Sequence, residues 1–191
     1  MSRHRHVHPT AGIVCTMLAV ALSGCATIGG GAAVTDATAL LEIRMDRVTL
    51  HRELHVPALS ARTFIQGGEA VGRGYDRYAA VCEFELRSVR ESAQTIRPDD
   101  FRVTGMRWGV EQVARLAPVQ LASRGLASLD DGGSWFEHHI VRYTLESATQ
   151  PDVMRLTCRG AEALAHEAMP PTLGEARAAL GGVATLHLRT H

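Results

Sequence analysis

Lysine is missing from this 191-residue chain; arginine supplies all 20 basic residues. That excludes a lysine Schiff base and a lysine general base, and arginine-only usage is what a GC-rich genome produces. Acids also number 20, so no basic excess is available to neutralise phosphates, which argues against a nucleic-acid partner. Aromatic residues make up only 5% of the chain, with two tryptophans, Trp108 and Trp135. The apolar run from Ala11 to Leu22 spans about 12 residues, where a membrane-crossing helix needs roughly 20. No internal repeat, heptad run or Gly-x-Ser-x-Gly nucleophile elbow is present.

The N-terminus has the parts of an export signal. Met1–His8 is basic and free of acid, the short apolar run follows, and small residues lead into Cys25. Leu22-Ser23-Gly24-Cys25 resembles the lipobox of bacterial lipoproteins at all four positions. In that family the cysteine thiol receives a diacylglyceryl group, the signal is cut just before it, and the new amino terminus is usually acylated. The resemblance implies that residues 1–24 are a signal peptide and that Cys25 is the lipid attachment site. Two or more acyl chains, at about 0.8 kcal/mol per buried CH₂, make such an anchor effectively permanent. An Asp after the cysteine tends to retain family members in the inner membrane; Ala26 stands there, which favours the outer membrane with the domain in the periplasm. The resemblance covers only the first 25 residues and implies nothing about the rest.

Cleavage before Cys25 leaves 167 residues, with 18 arginines against 20 acids and a net charge of about −2. Residues 25–37 are small and Gly-rich and read as a flexible tether; residues 38–191 suit one domain. Cys15 departs with the signal and Cys25 is lipidated, leaving Cys82 and Cys158. An even pair in an oxidising compartment reads as a disulfide; the sharper alternative is a catalytic cysteine with a histidine partner.

Period-two alternation predicts a mostly β domain, an antiparallel sandwich or partly open barrel with one or two short helices near the C-terminus. Leu41, Ile43 and Met45 share one phase, and Cys82, Phe84 and Leu86 another. Phe101 and Val103, then Val141, Tyr143 and Leu145, then Met154, Leu156 and Cys158, complete the strands. Both remaining cysteines fall in apolar phases. Arg97-Pro98-Asp99-Asp100, Asp130-Asp131-Gly132-Gly133 and Gln150-Pro151-Asp152 read as turns. After Pro170-Pro171, the run Thr172-Leu173-Gly174-Glu175 fits a capping box, Gly181-Gly182 ends that helix, and residues 183–189 form a closing strand. Gly160–Ala168 is a second helix candidate.

Candidate chemistry is sparse. Gly67–Gly74 superficially resembles a phosphate-cradling loop, but Arg73 and Gly74 occupy the places of the required lysine and hydroxyl; a mobile loop between strands is expected. His51 and His55 have the outer spacing of a zincin box, with the glutamate misplaced and a strand end as the setting. His138 and His139 alternate across a strand. Glu83 and Glu85 are expected on a solvated strand face, and Asp99-Asp100 and Asp130-Asp131 in turns for backbone reasons. No metal, cofactor or catalytic residue is expected. Trp108 and Trp135 are the candidates for a binding surface, since tryptophan is enriched at hot spots, against plain core or rim packing. The expected role is therefore non-catalytic: an envelope lipoprotein that binds a protein, glycan or lipid. The alternatives are an envelope hydrolase and a carrier of a small ligand or metal.

Overall fold

The computed structural model describes residues 34–113 and 135–189. The lipobox with Cys25, most of the tether and Asp130-Asp131-Gly132-Gly133 lie outside the described residues. No helix among the described residues is long and apolar enough to cross a membrane.

The domain is mostly antiparallel β, as expected. Eleven strands are described: β1 (Met45–Leu50), β2 (Leu54–Val56), β3 (Arg62–Gln66), β4 (Glu69–Val71), β5 (Val81–Leu86), β6 (Gln94–Ile96), β7 (Asp99–Val113), β8 (Phe136–Glu146), β9 (Val153–Arg159), β10 (Ala163–Leu164) and β11 (Ala184–Leu188). One sheet runs in the order β11-β1-β7-β8-β9-β5-β3-β4, with β10 on β8, and curls into a half-barrel. β2 and β6 form a separate pair. Phe84, Phe101, Val141, Tyr143 and Leu156 fill the inner face, and the rings of Phe84 and Phe101 lie 6.0 Å apart. Helix α1 (Leu173–Leu180) closes this face with Leu173, Ala176, Ala179 and Leu180. Thr172 and Glu175 form the expected capping box, and β11 is the expected closing strand.

Cys82 and Cys158 are bonded, with an S–S distance of 2.04 Å and Cα atoms 4.0 Å apart. They are directly opposed on β5 and β9, on the inner face. The disulfide reading holds for the reason of phase.

Local tertiary bonds overturn several strand and turn assignments. Leu41 is not in a strand: Leu40–Glu42 is a 3-10 turn, because the Leu40 amide donates to Pro171 O and the buried Tyr143 hydroxyl to Leu40 O. Met154 is only half-buried while Val153 is 2% exposed; an irregularity at Glu85/Leu86 shifts the register. Gly160–Ala168 is not helical. The Gly160 and Glu162 amides donate to His139 O and Arg77 O, and Ala163 and Leu164 pair with β8, so partners elsewhere in the fold override helix propensity. Gly67–Gly74 is not one long loop. Gly67 and Gly68 have φ of +60° and +80°, a turn joining β3 to β4, whose mirror-type geometry favours glycine. The Gly68 amide donates to Ala179 O, and a Cβ on Gly181 would sit 2.5 Å from Gly68 Cα. Asp99 and Asp100 open β7 and are not in a turn. Thr35–Thr38, at the end of the expected tether, is tied to the helix: Gly174 and Leu173 amides donate to Asp36 O and Thr38 O, and Arg177 bonds the Asp36 carboxylate.

Candidate functional site

β7 is the longest of the described strands, and its two edges are used unequally. β8 pairs with it from Arg102 to Val113. β1 pairs with it only from Asp99 to Arg102. Beyond Arg102, no strand among the described residues takes the β1-side edge. Where β1 diverges, a groove of about 440 Å³ opens between Leu41–Met45 and Val103–Met106.

A bulge between Val103 and Gly105 resets the side-chain phase of this free segment. Met106, Trp108 and Val110 stand opposite Tyr143, Val141 and His139, so they continue the inner, apolar face past the end of its cover. Their exposures are 39%, 61% and 43%. The other phase carries Arg107, which has no hydrogen-bond or ion-pair partner among the described residues, and Glu111. A long edge with an exposed apolar stripe is a pairing surface unless something blunts it.

Trp135 is also exposed, at 50%. It precedes β8, six residues before Val141, the partner of Trp108. At a strand rise of about 3.3 Å that separates the tryptophans by roughly 20 Å. The structure therefore does not bring the two candidates into one patch. Trp108 lies on the free edge; Trp135 lies beside β10, where the Ala165 amide donates to its carbonyl.

The outer face holds a buried polar network where alternation predicts a solvated surface. Glu83 and Glu85 are not solvated: they are 1% and 7% exposed. Arginines from neighbouring strands cover and pair them. Arg155 grips Glu85 with two bonds, at 2.6 and 2.8 Å. Arg62 approaches both carboxylates at 3.6 Å, and Arg159 bonds Glu83 at 3.0 Å. Arg159 and Arg142 both reach Glu111. Burial pushes the Glu85 carboxyl up, but the Arg155 bond and the charges of Arg62, Arg155 and Arg142 outweigh it and hold the group below its usual range. The Glu85 bonds raise Arg155 in turn. Burial opposes the Arg159 charge; its bond to Glu83 and the charges of Glu83 and Glu111 more than compensate, raising it. The face is covered by arginine stems with their charged heads crossing between strands.

A cleft of about 500 Å³ borders this network, walled by Arg62, Arg73, Arg77, Arg159, Glu111 and Glu162, with His138 and Tyr75 beside them. Glu162 bonds Arg77 at 3.4 Å and lies 3.6 Å from His138 Nε2. Among the described residues no serine, threonine or cysteine lines it, and Tyr75 supplies the one hydroxyl, so its character is set by the arginine charge.

The remaining candidates stay apart. His51 bonds Thr185 at 2.7 Å just after β1, and His55 is exposed in β2. His138 is buried against Gly160 O while His139 lies near Glu137. No group of three or more His, Cys, Asp or Glu among the described residues could hold a metal. No protein-family model matches this chain, and no characterised protein or solved structure is significantly similar to it.

Proposed function

We propose that this chain is an outer-membrane lipoprotein, anchored through Cys25 with its domain in the periplasm, and that the domain acts by binding and not by catalysis. The anchor rests on the Leu22-Ser23-Gly24-Cys25 resemblance. The binding role rests on one observation: Trp108, at 61% exposure, stands between Met106 and Val110 on the free edge of β7. A chain with few aromatics leaves a large apolar ring in water at a position where a partner can cover it, and rigid aromatic anchors carry most of the energy at interfaces. A protein, glycan or lipid of the envelope is the class of partner.

A second reading has its own observation. The cleft beside Arg73, Arg77 and Arg159 has four arginines against two glutamates among its walls, which suits a carrier of a small anionic ligand.

Labelling with a fatty-acid analogue tests the anchor; the wild type takes the label and Cys25→Ser does not. Cross-linking in native membranes tests the edge. Wild-type protein gives a discrete adduct, and Trp108→Ala loses it with an unchanged melting temperature. An adduct that persists in Trp108→Ala rules this surface out. A polar substitution that abolished an activity while leaving the adduct and melting temperature intact would replace binding with chemistry.

A further inference from the structure

We propose that the free edge of β7 pairs with the same edge of a second copy of this chain, antiparallel, about a two-fold axis passing through Gly109. This rests on the reading that the edge is a binding surface and names its occupant.

Symmetry restricts the registers. A two-fold axis normal to the sheet keeps each face on its own side, so a residue can oppose only residues of its own phase. Met106, Trp108, Val110 and Gln112 form one phase; Gly105, Arg107, Gly109, Glu111 and Val113 form the other. Centring on Trp108 would stack the two indoles and place Arg107 against Gly109. Centring on Val110 would set Glu111 against Gly109. Only the register centred on Gly109 sets Arg107 against Glu111 of the second copy, and it does so twice.

That register satisfies both faces at once. Trp108 then opposes Val110 of the second copy, again twice, an aromatic–β-branched pair of the kind that stabilises antiparallel neighbours. Arg107, without a partner among the described residues, gains a carboxylate. Glu111 can receive it: its side chain is 39% exposed, and a carboxylate's four lone-pair sites are not exhausted by Arg142 and Arg159. The backbone groups along the edge exchange water for a ladder, as in strand addition. Two copies held on one membrane would also meet at raised effective concentration.

Gly109→Cys in the full-length chain tests the register. The nearest atoms to a Cβ there are Ile140 Cγ1 at 3.8 Å, and Arg142 Nη1 and Ile140 Cδ1 each at 3.9 Å, ordinary van der Waals contacts, so the fold accepts it. The axis would bring the two introduced thiols to opposed positions, within the roughly 4.4–6.8 Å Cα separation of a disulfide. Position 107 lies two residues from the axis, and its two copies are roughly 14 Å apart. Mild oxidation of membranes is expected to give a covalent dimer with Gly109→Cys, mapped to a peptide pair joined through position 109 of both copies, and none with Arg107→Cys. Adding Arg107→Glu to Gly109→Cys is expected to lower the yield at least tenfold.

Equal cross-linking at positions 107 and 109, or none at 109, overturns the proposal. If none forms at 109 while Trp108→Ala still removes an adduct with a different protein, self-pairing falls and the binding reading stands. If Trp108→Ala also changes nothing, both fall.

Discussion

Glu83 on β5 and Arg159 on β9 meet at 3.0 Å with side chains only 1% and 6% exposed. They pair beneath the other arginines of the outer face, in the setting where losing one partner strands a buried charge. Glu83 Oε2 and Arg159 Nη1 already have no hydrogen-bond partner among the described residues, so the pair has little slack.

Glu83→Ala is therefore expected to destabilise the domain by about 3 kcal/mol, the lower end for breaking a buried pair, because Arg159 keeps Glu111. Replacing both partners with apolar residues of similar volume (Glu83→Leu with Arg159→Met) is expected to cost less than the single change. Urea unfolding of the three proteins decides. A single-variant loss below about 0.5 kcal/mol would mean that water reaches this pair freely.

Removing the Cys82–Cys158 bond has a different origin. The bond closes a separation of 76 residues, worth roughly 4.5 kcal/mol in the chain-entropy account and about 2–4 kcal/mol in practice. Its sulfurs lie in the core, so Cys82→Ala with Cys158→Ala should lower stability by about that amount while the strands stay paired. Intact mass under non-reducing conditions provides the direct check, since the oxidised domain is lighter by two hydrogens. Free thiols on protein purified without reductant would refute the bond.

The disulfide was legible in the sequence because only two cysteines remain beyond the signal region and local alternation sets the phase of each. Cys82 and Cys158 each sat in an apolar phase, and the register placed them opposite one another. The α1 cap was legible because Thr172 and Glu175 act across one helical turn. The burial of Glu83 and Glu85 was not legible. Alternation says which residues share a face, and only tertiary neighbours decide whether that face is wet; here Arg62, Arg155 and Arg159 come from strands distant in sequence. The free edge of β7 was hidden likewise. Phe101 and Val103 marked the strand, but the bulge that turns Trp108 to the inner face, and the early departure of β1, depend on pairing partners. Gly160–Ala168 read as helix because its composition is helix-forming, and lost to bonds with His139 and Arg77.

Asp99 couples the start of β7 to the turn between β8 and β9, and it makes stability depend on acid. Its carboxylate accepts from Ser147 Oγ at 2.6 Å, Thr149 Oγ1 at 2.5 Å, Gln150 Nε2 at 3.1 Å and the Asp100 amide at 2.8 Å. Partial burial pushes the carboxyl up, but these four donors favour the charged form more strongly and bring its pKa down to about 2. An unfolded Asp titrates near 3.9. Because the folded value is the lower one, the contribution is complete above about pH 4 and disappears as pH falls through about 2. Glu85, also depressed, adds to the acid sensitivity. Asp99→Asn cannot gain or lose that proton and satisfies fewer of the donors. It is expected to be less stable than wild type near neutral pH, with the gap narrowing as pH falls from about 4 towards about 2. Urea unfolding across this range measures it, and parallel stability profiles for the two proteins would show that Asp99 does not carry the acid dependence.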